Sequence, residues 1–132
     1  MANPNIVSVT SILGTTTYLT PSAVTAVVLL ANTAASGLVY KINQIVAANV
    51  NGSAAVNTTV SVYTNGAVVQ GSAPSGGTAF PICSTVAVPA SASLIVVDKG
   101  TAVYLMEGTS ISVTSGTASG ITYTISYESI AA

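Results

Sequence analysis

Few side chains in this sequence are able to do chemistry, so each can be weighed on its own. Three carboxylates are present, Asp98, Glu107 and Glu128. Glycoside hydrolysis needs two carboxylates at a controlled separation inside a sugar-binding cleft, ordinarily with aromatic platforms beside them. Here Asp98 and Glu107 fall in predicted turns and Glu128 on the polar face of the last predicted strand, a pattern that turn chemistry and solubility account for. Asp98, Glu107 and loop carbonyls offer Ca²⁺ a weak site at most, because no ligand loop with EF-hand spacing occurs. The chain has no histidine, arginine or tryptophan, which excludes a Ser-His-Asp triad, a Cys-His pair and an imidazole metal site. Cys83 is the single cysteine, so no internal disulfide forms. With Ile82, Val86 and Val88 around it, Cys83 reads as a buried, inert thiol with no base nearby. No catalytic residue, cofactor-binding residue or metal ligand is nominated, and the chain reads as non-enzymatic.

Six tyrosines, Tyr18, Tyr40, Tyr63, Tyr104, Tyr123 and Tyr127, raise glycan stacking as a second chemistry. Tyr123 and Tyr127 share a face with Ile121 and Ile125, so they are expected to close the edge of the core with their hydroxyls reaching water. Thr15-Thr16-Thr17 and Thr122-Tyr123-Thr124 carry the Thr-x-Thr spacing of flat ice-binding sheets, but two copies without a repeat are ordinary strand threonines. The sequons Asn51-Gly52-Ser53 and Asn57-Thr58-Thr59 need a secretory route. Met1 to Ile6 has neither a positive n-region nor an apolar h-region, so no cleaved signal is expected.

The elements that must position these residues follow from composition and periodicity. At 132 residues the chain suits one domain that buries about two thirds of its unfolded surface. Half the residues are hydrophobic and only Lys41, Asp98, Lys99, Glu107 and Glu128 carry charge, so the remaining surface must come largely from 35 Ser and Thr side chains. Two lysines cannot neutralise a run of phosphates, which argues against nucleic acid as a partner. High hydrophobicity with little charge also argues against disorder. The longest nearly apolar stretch, residues 23–31, is far shorter than the ~20 residues of a membrane helix, so no membrane partner is expected.

Ile121, Tyr123, Ile125 and Tyr127 alternate with Thr122, Thr124, Ser126 and Glu128, the period of a strand with one buried face. Residues 60–63 and 111–114 repeat that pattern, and Val, Ile, Thr and Tyr dominate the apolar set. Residues 23–31 read as strand rather than helix because Val24, Thr25, Val27 and Val28 are β-branched. Asn51-Gly52 and Asn65-Gly66 predict hairpin turns. Asp98-Lys99-Gly100 predicts a three-residue hairpin loop with Gly100 in the left-handed position. Other breaks are expected at Gly14, Ser36-Gly37, Pro89, Glu107-Gly108 and residues 116–120, and residues 71–79 form the one long flexible loop. The alternation slips between Ile42 and Ile45, which predicts a β-bulge. The sum is an all-β fold of eight to ten short strands, either an antiparallel β-sandwich of jelly-roll type or a small barrel. Residues 1–5 are expected to form a short arm ahead of a strand over residues 6–12, with residues 6–132 as a single β domain.

The surface is the most informative feature. A soluble domain usually carries about a quarter of its residues as charges, whereas this chain has 4%. A net charge of −1 gives little repulsion between copies, and many exposed strands invite edge pairing. Interface cores are depleted of charge in the same way, so the composition fits a surface covered by further copies or by a larger assembly.

The opening Met-Ala-Asn-Pro-Asn-Ile-Val-Ser-Val-Thr-Ser-Ile-Leu-Gly of residues 1–14 resembles a family of small virion structural proteins of tailed phages, particularly cyanophages. The resemblance continues at Gly37-Leu38-Val39-Tyr40-Lys41-Ile42-Asn43 and Val88-Pro89-Ala90-Ser91-Ala92. It is most telling at Val96-Val97-Asp98-Lys99, Val103-Tyr104-Leu105-Met106-Glu107-Gly108 and Ile125-Ser126-Tyr127-Glu128. The resemblance implies a non-enzymatic virion component, first of all a capsid decoration or cement protein clamping neighbouring capsid subunits. Its partners are then the major capsid protein or other virion proteins, and copies of itself, with a homotrimer favoured. A tail, neck or fibre-base component is the alternative in the same class, and a host-surface glycan-binding module the alternative outside it. The partner-contact residues expected on this reading are Met1, Ala2, Asn3, Pro4 and Asn5 in the arm and Pro74, Ser75, Gly76 and Gly77 in the long loop.

Overall fold

A computed structural model describes residues 8–131. The arm expected over residues 1–5, and with it Met1, Ala2, Asn3, Pro4 and Asn5, lies outside the described residues. Among those described, the β-branched and aromatic runs form nine strands: β1 (Ser11–Leu19), β2 (Val27–Asn32), β3 (Leu38–Asn49), β4 (Val56–Tyr63), β5 (Ala79–Val88), β6 (Ser93–Val97), β7 (Val103–Leu105), β8 (Thr109–Ser115) and β9 (Ile121–Ala131). A single 3₁₀ turn, Lys99–Thr101, separates β6 from β7. No helix among the described residues is long and apolar enough to cross a membrane.

The strands make two antiparallel sheets packed as an open sandwich, not a closed barrel. One sheet runs β1-β9-β3-β6, with β7 on the same side of β3 as β6; the other runs β2-β8-β4-β5. Four pairings nest inside one another: β1 with β9, β2 with β8, β3 with β6 and β7, and β4 with β5. The chain is therefore one long hairpin folded across two layers, which is jelly-roll connectivity with β6 and β7 as an interrupted strand. The core fills the space between the layers with Leu29, Ile42, Ile45, Val60, Ile111, Val113 and Ile125, all fully buried.

Several sequence expectations hold in detail. Ile121, Tyr123 and Ile125 point inward along β9, and the slip in β3 is a register shift between Ile42 and Gln44 opposite that strand. Residues 23–31 are extended only in part, since β2 starts at Val27 after bends at residues 22–25.

Other expectations are corrected. Asn51-Gly52 makes no hairpin: β3 and β4 lie in different sheets, so residues 50–55 carry the chain from one layer to the other. Asn65-Gly66 begins a long β4–β5 connection, residues 64–78, rather than a two-residue turn. β6 and β7 both pair with β3 and not with each other, so Asp98-Lys99-Gly100 is not a hairpin loop. Instead, the Asp98 side chain accepts the Thr101 amide and caps the 3₁₀ turn, and Gly100 has no left-handed φ. Gly14 does not break a strand; it sits exposed inside β1, which begins at Ser11 rather than ending at Ile12.

Residues 71–79, expected to form a long flexible loop, fall almost wholly in the 64–78 connection, which is fastened along its length. Register places Val28, Ser112 and Ser61 in one outward-facing row, and Ala31, Ser110 and Tyr63 in the next. Val28, Ser61, Tyr63, Ser110 and Ser112 are nonetheless buried, because this segment folds back over them. The Gly71 amide donates to the Val28 carbonyl (2.8 Å) and the Val28 amide to Ser72 (2.9 Å), adding a rung to the free edge of β2. Ser110 Oγ donates to the Asn65 carbonyl (2.8 Å), and the Gly77 amide donates to the Tyr63 hydroxyl (3.0 Å). Gln70 Nε2 donates to Leu29 O and Thr17 Oγ1, each at 3.0 Å, so one side chain ties the edges of both sheets together.

Candidate interaction surface

The charged side chains lie on different segments of the chain. Lys41 and Glu128 lie opposite one another across β3 and β9 on the outward face of the five-stranded sheet. Asp98 is occupied in the 3₁₀ cap, accepting Thr101 N at 3.0 Å and Thr101 Oγ1 at 3.1 Å. Glu107, in the turn before β8, accepts the Gly37 amide at 3.1 Å. The three carboxylates thus belong to three different segments: Glu128 to β9, Asp98 to the β6–β7 connection and Glu107 to the turn that passes from β7 to β8 in the other sheet. β2, β4, β5 and β8, the whole second sheet, carry none.

The tyrosines divide by environment. Tyr123, expected to reach water, is 0% exposed. Its hydroxyl donates to the Thr114 carbonyl (2.9 Å) and accepts from Thr58 Oγ1, so a polar group is carried into the core with both roles filled. Burial pushes its pKa up to about 12, with the Thr58 hydrogen bond acting in the opposite sense and Cys83 adding to the rise. Tyr40 and Tyr127 pack against each other with ring centres 4.9 Å apart and planes tilted by 43°. Tyr18 and Tyr104 stand exposed on the outward face of the five-stranded sheet, beside Thr124 and Lys41 respectively.

A cleft of about 310 Å³ opens between β1 and β2, lined chiefly by Thr17, Leu29, Leu30, Val69, Gln70 and Tyr127. None of these is a carboxylate, thiol or amine.

The exposed apolar surface is concentrated on strand edges. Along β1, Ile12, Leu13 and Tyr18 are 57%, 65% and 72% exposed, so both faces of this strand meet solvent. β5 goes further, since every residue from Ala79 to Ala87 except Cys83 is exposed. Register puts Phe80, Cys83 and Val86 opposite Val62, Val60 and Thr58, and so toward the space between the sheets. Phe80 and Val86 stay exposed because the sheet across from them ends in the short, interrupted strands β6 and β7. Ile82 and Val86, expected to bury Cys83, are themselves exposed, and the thiol is half-buried with its pKa raised by that partial burial.

Of the loop residues expected to meet a partner, Ser75, Gly76 and Gly77 are exposed and Pro74 is partly covered. They are held by the backbone and Asn65 contacts of a fastened loop, not presented on a free one: Asn65 Nδ2 donates to Ser75 O at 2.8 Å. The exposed β5 and β1 edges escaped sequence reasoning. Alternation shows which residues share a face, but not whether the opposite layer extends far enough to cover it.

No protein-family model matches the chain, and no curated protein or solved structure matches it either.

Proposed function

We propose that this chain is a non-enzymatic structural component of a tailed-phage virion, acting as a capsid decoration protein that clamps neighbouring capsid subunits. The observation that carries the reading is the surface left after both sheets have formed, with one sheet wholly uncharged and two strand edges exposing apolar side chains. Surface of that kind suits permanent burial against other copies and a protein shell. The segments resembling small phage virion proteins, from residues 1–14 to Ile125-Ser126-Tyr127-Glu128, give the assembly its identity. Each bound copy occupies only the assembled shell, so it stabilises that shell against internal pressure by mass action. The working unit on this reading is a homotrimer located in the virion, and no step of its action needs a cofactor, metal or nucleic acid.

The deciding measurement is the number of copies per gradient-purified particle relative to the major capsid protein. A ratio near that of the capsid protein is expected. A few copies per particle would move the chain to the neck, tail or fibre base, and absence from particles would remove the virion reading. Deleting residues 1–5 should lower occupancy on the particle and leave the fold intact; unchanged occupancy would take the arm out of the attachment.

A host-surface glycan module is the second reading, favoured by the exposure of Tyr18 and Tyr104 on one sheet face. Titration with host polysaccharide, followed by tyrosine fluorescence, distinguishes it, because stacking on these rings gives a saturable change.

A further inference from the structure

We propose that the β5 flank of the sandwich is the surface on which a second copy of this chain docks. The four strand edges of the molecule are not alike. The free edge of β2 is closed by the rung from Gly71 and Ser72, and Gln70 Nε2 donates to the Leu29 and Tyr18 carbonyls at the β1–β2 side. On the far side of the five-stranded sheet, β6 and β7 are short and separated by the 3₁₀ turn, which blunts that edge. β5 has ten residues, no segment folded over it among the described residues, and the only phenylalanine of the chain, Phe80, 59% exposed.

The chemistry of the flank selects its partner. β5 carries no charge, and the sheet it borders carries none. A partner bringing a carboxylate or ammonium group there would strip that group of water with nothing of opposite sign to meet it. The matching surface must therefore be apolar and hydroxyl-rich over a comparable length, which this chain itself supplies. Ten residues span about 33 Å, and two layers about 10 Å apart with their side chains give a wall about 20 Å wide. That is about 650 Å² per copy and about 1,300 Å² in all, within the range of specific interfaces.

Packing through side chains fits better than simple extension of the sheet. Pro81 has no amide hydrogen to offer, and Thr85 adopts φ 48° at a bulge whose amide turns to Thr59 Oγ1 (2.9 Å). Both features break the run of outward donors that a pairing strand needs. Phe80, Ile82 and Val86 remain as the anchors.

This inference specifies the contact behind the oligomer in the preceding reading, but its test uses the isolated full chain and makes no use of particles, so either can fail alone. Sedimentation equilibrium at about 0.1 mM, the weak end of specific association, should give an oligomeric mass. Phe80→Asp and Val86→Asp should each give the monomer mass with an unchanged circular dichroism spectrum, as expected at exposed positions. Ile95→Asp, on the outward face of the other sheet, should leave the mass as in the parent chain. Cys83 gives an independent readout, because docking covers it. At a total concentration ten times the dissociation constant of a pairwise contact, about a fifth of the chains are undocked, so alkylation should slow about fivefold relative to dilute protein, and Phe80→Asp should abolish the difference. A parent chain that is monomeric at about 0.1 mM overturns the proposal. So does an oligomer that survives both β5 substitutions or dissociates with Ile95→Asp instead.

Discussion

Tyr123 is fully buried and brings a polar group into the core between the two sheets. Its hydroxyl joins Thr58 on β4 and the Thr114 carbonyl on β8 to β9 in the facing sheet, so the two layers share one buried hydrogen-bond chain. Tyr123→Phe leaves the Thr58 hydroxyl and the Thr114 carbonyl each short of a partner. It should cost about 1–3 kcal/mol by urea denaturation, whereas a loss near zero would mean that water replaces the hydroxyl. The same residue gives an alkaline signature. An unfolded tyrosine ionises near 10 and the folded Tyr123 only near about 12, so between these values the unfolded chain has released a proton that the native chain keeps. The contribution is complete below pH 10 and is lost as pH rises toward 12, and the urea midpoint should fall across that window. In Tyr123→Phe the fall should be shallower; an identical slope would assign it to other groups. That Tyr123 faces inward was legible from its alternation with Thr122 and Thr124. Its hydroxyl's partners were not, because they come from two strands whose neighbours are set by the topology.

At the scale of elements, the 64–78 connection behaves as a third layer over part of the uncharged sheet. Gly66 allows this, since a Cβ there would approach Thr109 O to 2.7 Å and Thr109 N to 2.9 Å and would press on the Asn32 carbonyl. Gly66→Ala should therefore cost about 1–3 kcal/mol in thermal or urea unfolding, as overpacking against backbone does. Gln70→Ala removes the side chain that spans both sheet edges. Amide exchange at Gly71 should then quicken while β9 amides stay protected, and uniform quickening would show that the clip supports the whole fold. The strands themselves were legible, because β-branched alternation is a local property of the chain. Asn51-Gly52 and Asp98-Lys99-Gly100 were misread because their turn chemistry suits a hairpin, a crossing between layers and a capped 3₁₀ turn alike. Which one forms depends on the pairing of β3 with β6, β7 and β9, strands that lie tens of residues from it in sequence. The β5 flank was invisible for the same reason: Phe80 and Val86 have the spacing of core residues, and only the shortness of β6 and β7 leaves them uncovered.

For the whole molecule, five charges among 132 residues make long-range electrostatics a minor part of any association. Contacts built from apolar and hydroxyl surface are little screened, so occupancy on particles should stay nearly constant from ~0.01 M to ~1 M salt. A steep loss with added salt would point to Lys41, Lys99 or the carboxylates as the attachment points. The nested pairings also place most sheet neighbours far apart in sequence, the pattern of chains that fold in milliseconds to seconds rather than microseconds. One of those pairings has a use beyond stability. Ser11 stands directly opposite Ala131 in the first rung between β1 and β9, so the described chain leaves and re-enters the domain at one corner, within about 5.5 Å. A chain trimmed to residues 11–131 could be closed into a circle by a linker of a few residues between Ser11 and Ala131, and reopened at residues 33–37 with every strand pairing preserved.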